Sequence, residues 1–322
     1  MENKKPKVSV IIPVYGVEKY IERCARSLFE QTLEDIEYIF VDDCTPDHSI
    51  EILQTVLNEY SHRIPQTRIL RMERNSGQGA VRKRGMLAAT GDYMIHCDSD
   101  DWVEPDIYEK LLSTALSTNA DITVCNFWED RPNGSTIRDN FDTEHPVGVI
   151  KNAKNKAIHW SLCAKLIKNE LITSNYIYPE PGINYWEDKY TAIRAYYYAN
   201  KIAYVQEPLY HYNLDNPTAI SRSKKEQILK DEIRHIELLD DFFRTKEYQI
   251  FKTFLTKEKI RLKISNIYDV NKFCGTFPKE RFSFLKIKSL SIPFRIICVL
   301  FSFRISLPYK IYLWLNQRFC KG

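Results

Sequence analysis

Several signatures of common catalytic and metal-binding proteins are missing from this chain of 322 residues. None of its eight cysteines lies in a C-x-x-C pair, and its seven histidines show no H-E-x-x-H or other zinc-binding spacing. The G-x-S-x-G motif of serine hydrolases and the Walker A phosphate-binding loop are also absent. These absences argue against zinc, thiol–disulfide, serine-hydrolase and P-loop chemistry, and they favour free thiols in a reducing compartment.

Long apolar segments are missing as well. The first residues, MENKKPKVSV, are charged and lead directly into a strand pattern, without the apolar region of a signal peptide. The segment 291–319 is apolar, but its longest uncharged stretch, between Arg295 and Arg304, has eight residues. A membrane-spanning helix needs roughly 18. We therefore expect a cytoplasmic protein.

Charge is distributed unevenly along the chain. From Arg281 onward there are eight Lys or Arg and no Asp or Glu, which leaves 38 basic and 42 acidic residues in the rest. The acidic body argues against a nucleic-acid partner. Beyond Pro308 the tail can form an amphipathic helix, with an apolar face made by Ile311, Tyr312, Leu315 and Phe319. Such a basic helix predicts peripheral binding to the anionic inner face of the cell membrane; the alternative is packing on the catalytic domain or a partner subunit.

The first part of the chain alternates between strand and helix patterns. Four apolar runs predict buried strands: VSVIIPVY (8–15), IEYIFVDD (36–43), DYMIHCDSDD (92–101) and DITVCNF (121–127). This alternation predicts an α/β fold with a mostly parallel sheet flanked by helices. Ligands bind such sheets beyond the carboxyl ends of the strands. The polar residues that fall there are Tyr15, Asp42, Asp43, Asn75 and the cluster around Asp98.

The remaining chain is less regular. Residues 129–140 predict a polar loop or hairpin, and 162–172 predict a helix. A charged helical pattern from about 224 to 272 predicts a helical C-terminal extension. We place one domain at residues 1–222 and a second, helical region at 223–322.

Three carboxylates crowd into four positions at the end of one predicted strand. Asp98, Asp100 and Asp101 would raise one another's pKa unless a cation or hydrogen-bond donors offset their charge. One of them could simply cap the helix that starts near Pro105 while the others are solvated. The functional interpretation is a hard divalent cation, because Mg²⁺ binds one or two protein carboxylates together with substrate phosphates.

The order and spacing of these motifs resemble those of family 2 glycosyltransferases, which have the GT-A (Rossmann-like) fold. The resemblance runs through PVY (13–15), SLFEQT (27–32), VDDCTPD (41–47), NSGQGAVRKRG (75–85), GDY (91–93) and DSDD (98–101). It covers roughly residues 7–222 and is strongest up to 125. Two departures, Thr45-Pro46 and Lys83, lie near the implied nucleotide site and put the donor preference in doubt.

The resemblance implies a nucleotide-sugar donor, with a UDP-sugar expected. The implied donor contacts are Pro13, Tyr15, Asp42, Asp43, Asn75, Arg82 and Asp98. Pro13 and Tyr15 would border the base, and Asp43 would hydrogen-bond its edge. Asp42 could instead stabilise the turn after its strand, and Arg82 could be an ordinary solvated helix residue.

The same resemblance implies a metal ion and a catalytic base. Asp98 and Asp100 would contact ribose and Mg²⁺ or Mn²⁺, with Asp101 as an alternative or additional ligand. In the segment INYWED the expected base is Asp188, and Glu187 is a neighbour that positions the acceptor or the base. The alternative for Asp188 is a helix N-cap.

We therefore expect an inverting, metal-dependent glycosyltransferase that acts on a glycan or lipid-linked acceptor in cell-surface polysaccharide biosynthesis. A catalytically silent sugar-nucleotide-binding or scaffolding protein at the membrane is the alternative. A nucleotidyltransferase is disfavoured, because the segment PVYGVEKY after the first strand has one glycine and an acidic residue instead of a basic, glycine-rich loop.

Overall fold

The computed structural model describes residues 5–140, 145–151, 160–217, 225–266, 269–286 and 292–305. The tail helix expected beyond Pro308 lies outside these residues. The chain divides into two compact units, Met1–Ile228 and Leu229–Gly322.

The first unit is built on one mixed sheet. Its strands, within the described residues, are β1 (Val8–Val14), β2 (Ile36–Asp42), β3 (Thr67–Arg71), β4 (Tyr93–His96), β5 (Trp102–Val103), β6 (Ile122–Arg131), β7 (Gly134–Arg138), β8 (Lys165–Lys168) and β9 (Ile202–Asn213). Their order is β3-β2-β1-β4-β8-β6-β9-β5, and β7 pairs with β6. The α/β class expected from the sequence is confirmed.

Helices flank this sheet. The described ones in the first unit are α1 (Ile21–Phe29), α2 (Ser49–Glu59), α3 (Gln78–Ala88), α4 (Ile107–Thr118), α5 (Pro146–Lys151), α6 (Asn169–Ser174) and α7 (Glu187–Tyr198). Every residue of β1, β2 and β4 is buried, which is why their sequences are apolar almost throughout. The apolar stripe of α1, from Ile21 to Phe29, belongs to the same core.

The two halves of the sheet differ in strand direction. The strands β3, β2, β1 and β4 are all parallel, as expected. The strand β8 is antiparallel to both of its neighbours, β4 and β6. The prediction of a helix over 162–172 is therefore wrong for its first part, since pairing on both sides makes Lys165–Lys168 a strand. The hairpin alternative for 129–140 is confirmed by β6 and β7.

The second unit is helical in its described residues, as expected for the C-terminal extension. The helix α8 (Lys225–Arg244) begins just before the boundary, and α9 (Tyr248–Ser265), α10 (Val270–Gly275) and α11 (Ile292–Ser302) follow. A small core includes Ile260, Phe273, Phe284 and Phe301. None of the helices in the described ranges has the length and apolar character needed to cross a bilayer.

Candidate functional site

The predicted nucleotide residues lie at the carboxyl ends of β1 and β2. Pro13 is buried within β1, whereas Tyr15, just beyond that strand, is 50% exposed. Asn75 is exposed in the turn that leads into α3. A half-exposed tyrosine at the end of a buried strand is accessible to a planar ligand, on which an aromatic ring can stack.

The two aspartates that end β2 have different partners. Asp43 accepts hydrogen bonds from the backbone N–H groups of Ser76 (2.7 Å) and Gly77 (2.9 Å). Burial raises the pKa of Asp43, and these two hydrogen bonds oppose that rise. Asp42 accepts from the backbone N–H of Thr45 at 2.8 Å, a contact that fits its alternative role in stabilising the turn. Asp43 thus fixes the start of α3, and the donor contacts of both residues remain predictions.

The aspartate cluster follows β4, and its members are held in different ways. Asp101 is 1% exposed, and its two carboxylate oxygens accept from the Tyr210 hydroxyl (2.5 Å) and the Asn213 backbone N–H (2.8 Å). Asp100 accepts from the Asn216 side chain at 2.7 Å. Burial raises the pKa of both aspartates, well above the usual range for Asp101, and their acidic neighbours in the cluster add to the rise.

A divalent cation would relieve this crowding. Among the described residues, the side chains of Asp98, Asp101 and Cys163 bring potential ligand atoms within 4.8 Å of one another. Two carboxylates suit Mg²⁺ or Mn²⁺, while a thiolate would add a softer ligand. The donor set therefore fits a metal ion. Asp100 is not in this group, and Cys163 was missed because no motif links it to the cluster in sequence.

Arg82 of α3 is buried among site residues, with 2% of its surface exposed. The alternative of a solvated helix residue is therefore wrong. Its Nη2 donates to Asp98 Oδ1 at 2.7 Å, its Nε donates to Glu187 Oε1 at 3.0 Å, and its Nη1 lies 3.2 Å from His96 Nδ1. One guanidinium thus contacts the end of β4, the aspartate cluster that follows it and the start of α7.

The predicted base stands at the first turn of α7. This helix begins at Glu187, and the residue before it, Trp186, has a left-handed backbone with φ 67°. Asp188 is therefore inside the helix and is not its N-cap, so that alternative is wrong. Burial, with Asp188 adding to it, raises the pKa of Glu187 to about 8. Burial likewise raises the pKa of Asp188, which makes it a stronger proton acceptor.

Histidine 211 has a structural environment that the sequence did not reveal. Its ring stacks on Trp102, with centroids 4.7 Å apart, and lies 6.1 Å from the Trp128 ring. Its nitrogens lie 2.9 Å from Asp130 Oδ2 and 3.0 Å from Glu104 Oε1. Both nitrogens therefore contact carboxylates outside the Asp98 cluster.

Comparison with known proteins agrees with this geometry. The family model described as "Glycosyl transferase family 2" matches residues 9–167. EpsH of Bacillus subtilis (strain 168), a protein described as a glycosyltransferase, is 33% identical over 230 residues. That match spans 68% of this chain and 64% of EpsH, so the chain covers less than two thirds of this relative.

Two solved structures share the fold. The Staphylococcus aureus protein TarS, residues 1–349 in complex with UDP-GlcNAc, gives a TM-score of 0.64 at 18% identity, covering 92% of this chain and 89% of that one. The mannosyltransferase PcManGT from Pyrobaculum calidifontis, in complex with GDP-Man and Mn²⁺, gives a TM-score of 0.52 at 15% identity, covering 99% and 89%. Both are glycosyltransferases of the GT-A type, and the fold of this chain is of that type.

Proposed function

We propose a reaction for this chain from one premise: the chain belongs to glycosyl transferase family 2. The reaction is inverting transfer of a sugar from a nucleotide-sugar donor, with a UDP-sugar expected, to a hydroxyl of a glycan or lipid-linked acceptor. The observation that carries the proposal is the contact network of Arg82, which joins the aspartate cluster after β4 to the carboxylates that start α7. Donor-side and base-side groups are thus in one site.

On the donor side, the exposed ring of Tyr15 and the buried Pro13 border the nucleotide base, and Asp43 meets its edge. Asp42 and Asn75 complete the proposed donor contacts, and Arg82 is connected to the donor side through its hydrogen bond to Asp98. The binding of UDP-GlcNAc by TarS, a protein with the same fold, supports a UDP-sugar as the first donor to test.

On the leaving-group side, Asp98 and Asp101, with Asp100 beside them, are the proposed ligands of Mg²⁺ or Mn²⁺. The ion, when bound, would neutralise the diphosphate as it departs. The raised pKa values of Asp100 and Asp101 support this assignment, since a bound cation would favour the charged carboxylates.

The remaining step is carried by this chain's carboxylates. The acceptor oxygen forms a bond to the anomeric carbon while the bond from that carbon to the diphosphate oxygen breaks. The acceptor proton passes to Asp188, and the electron pair of the broken bond leaves with the nucleoside diphosphate. Glu187 positions the acceptor or the base.

We place this reaction at the cytoplasmic face of the membrane, in the biosynthesis of a cell-surface polysaccharide. A related sequence, TarS of Staphylococcus aureus (strain Mu50 / ATCC 700699), is named for a poly(ribitol-phosphate) acceptor and is 26% identical over 210 residues. In the second unit, Phe282 and Phe303 are 40% and 58% exposed beside Arg281. Exposed aromatic rings next to basic side chains support contact with anionic lipid.

The experiment that tests the reaction is a donor panel. Purified protein is incubated with UDP-, GDP- and TDP-sugars in the presence of Mn²⁺, Mg²⁺ or EDTA, and free nucleoside diphosphate is measured. Metal-dependent release from one donor, lost in Asp100→Ala and Asp188→Ala, is the expected result. If no donor is cleaved and calorimetry detects no metal-dependent binding of any sugar nucleotide, the silent scaffold becomes the leading function.

A further inference from the structure

We propose that Arg82 is a positioning residue of the transfer reaction, which holds Glu187 and, through it, the base Asp188 in register with the donor. This inference rests on the proposed glycosyl transfer. It differs from the donor contact expected for Arg82, because it assigns the side chain a task that does not require touching the nucleotide.

The contacts of Arg82 occupy all three nitrogens of its guanidinium. Nη2 donates to Asp98 at 2.7 Å and Nε donates to Glu187 at 3.0 Å. Nη1 lies 3.2 Å from His96 Nδ1, and burial together with Arg82 holds the pKa of His96 well below its usual range, so the neutral ring accepts this bond. The planar fork of an arginine can serve three partners in fixed directions, which a lysine cannot do.

Arg82 and its partner Glu187 are both buried, which carries a cost in free energy of desolvation. Side-chain exposure is 2% for Arg82 and 6% for Glu187. Taking the guanidinium and its partner carboxyl groups out of water costs desolvation energy, and replacement of such buried polar groups by apolar residues is often neutral or stabilising. A buried arginine between carboxylates from two different elements therefore indicates a geometric requirement more than a stability gain. The requirement concerns the first turn of α7, because the proposed base Asp188 directly follows Glu187 there.

The start of α3 and the segment before α7 are also in direct contact through two glycines. A Cβ added at Gly79 would lie 2.6 Å from the carbonyl oxygen of Ile183, and one at Gly77 would lie 2.1 Å from Asn184 Oδ1. The segment leading to Glu187 is thus seated directly on the glycines that open α3. Asp43, at the end of β2, also accepts a hydrogen bond from the backbone N–H of Gly77. The helix α3 and the glycine before it therefore contact three parts of the site: the end of β2, Asp98 after β4, and the segment that leads into α7.

The test measures donor binding and turnover separately. Arg82→Lys and Glu187→Gln are compared with the parent for the dissociation constant of UDP, by calorimetry with Mn²⁺, and for the kcat of nucleoside diphosphate release from the donor that the panel identifies. We expect kcat to fall by about 10- to 100-fold through misplacement of the base, with the UDP dissociation constant unchanged within about threefold. Arg68→Lys, which alters another arginine–glutamate pair of this unit, is the matched control and should leave both values unchanged.

The double variant Arg82→Lys/Glu187→Gln tests whether the two residues act as one unit. Residues that act as one unit give non-additive effects, so the double variant should be no slower than Arg82→Lys alone. Additive losses overturn the inference, as does weaker UDP binding with unchanged kcat at saturating donor, which would make Arg82 a nucleotide ligand. If Arg82→Lys does not fold, Glu187→Gln, which keeps the shape of the side chain, decides by the same two measurements.

Failure of the inference and failure of the proposed reaction give different results. A parent protein without turnover on any donor removes the reaction and the inference together. An active parent whose Arg82 and Glu187 variants keep the parental kcat removes the inference alone.

Discussion

The two ends of the sheet in the first unit both contain a buried glutamate paired with an arginine. The pKa of the glutamate is lowered at one end and raised at the other. At the amino end, Glu37 accepts from the Ser9 hydroxyl at 2.6 Å, the Thr90 backbone N–H at 2.6 Å and Arg68 at 2.8 Å. Burial alone would raise the pKa of Glu37, but these hydrogen bonds and the arginine together lower it. This carboxylate is fully satisfied by the protein.

At the carboxyl end, the pKa values of Asp100, Asp101, Glu187 and Asp188 are all raised, with burial as the first cause. Arg82 is the counterpart of Arg68, but its charge is shared between Asp98 and Glu187. The fold can satisfy a buried carboxylate, as Glu37 demonstrates. Leaving four of them with raised pKa values indicates a site prepared for an added cation and for a proton, which agrees with a binding role.

The largest effect is expected from removal of the proposed base. In Asp188→Asn we expect kcat for transfer to fall by about 10²- to 10⁴-fold, because the acceptor proton loses its recipient. UDP-sugar affinity, measured by calorimetry, should stay at the parental value. Glu37→Gln is the control at the other end of the sheet and should keep its kcat. Parental turnover in Asp188→Asn would move the base elsewhere.

Metal removal should abolish the stability that the carboxyl-end site gains from bound UDP, and it should leave the Glu37 site unaffected. With UDP and Mn²⁺ at about 100 times their dissociation constants, we expect the free energy of unfolding to rise by about 3 kcal/mol. EDTA should abolish this gain, and so should Asp98→Asn, whereas Glu37→Gln should retain it. The measurement is thermal unfolding followed by circular dichroism. A gain that persists in EDTA contradicts a metal-dependent donor site.

The amino-end site should contribute to stability without affecting activity. Glu37→Gln should lower the free energy of unfolding at pH 7 by about 2 kcal/mol, since buried donors lose a charged partner. Because the folded pKa of Glu37 is lowered, its contribution is complete above its unfolded value of about 4.5 and disappears as the pH falls through the folded pKa. Urea unfolding of both proteins between pH 3 and 7 should therefore give converging curves at low pH; a constant gap would refute this assignment.

The pH dependence of stability expected from Glu187 has the opposite sign to that expected from Glu37. A raised folded pKa of about 8 means that the folded state holds a proton which the unfolded state releases above about 4.5. Its contribution therefore falls as the pH rises from about 4.5 through about 8. Glu187→Gln, which cannot ionise, should therefore gain free energy of unfolding relative to the parent as the pH rises from 5 to 8.5. Urea unfolding at the two pH values measures this gain, and parallel behaviour of the two proteins would contradict it.

Local pattern was enough to predict part of this fold and site. The continuous apolar runs of β1, β2 and β4 predicted the parallel half of the sheet, and polar residues after them indicated its ligand-binding edge. Asp43 and the Asp98 cluster were assigned to that edge in this way, and their contacts with donor and metal stay predictions.

Other features depend on partners that are distant in sequence. Arg82 and Glu187 are 105 positions apart, so no local pattern could distinguish a buried ion pair from a solvated helix arginine. The four residues Lys165–Lys168 are too few for periodicity to separate strand from helix, and pairing on both sides decides the outcome. Cys163 approaches Asp98 and Asp101 through this same strand placement.

The insertion of β8 has a consequence for how the protein is made. The strands β4 and β6 leave the ribosome first, but the strand that separates them is encoded some forty residues after β6 begins. Until it arrives, a nascent chain presents two unpaired strand edges, which are templates for aggregation. Pairing across such sequence distances is also slow, because the loop must close before its contacts form. We therefore expect fragments that end before Lys165 to aggregate, and the catalytic edge to form only in a late step of folding.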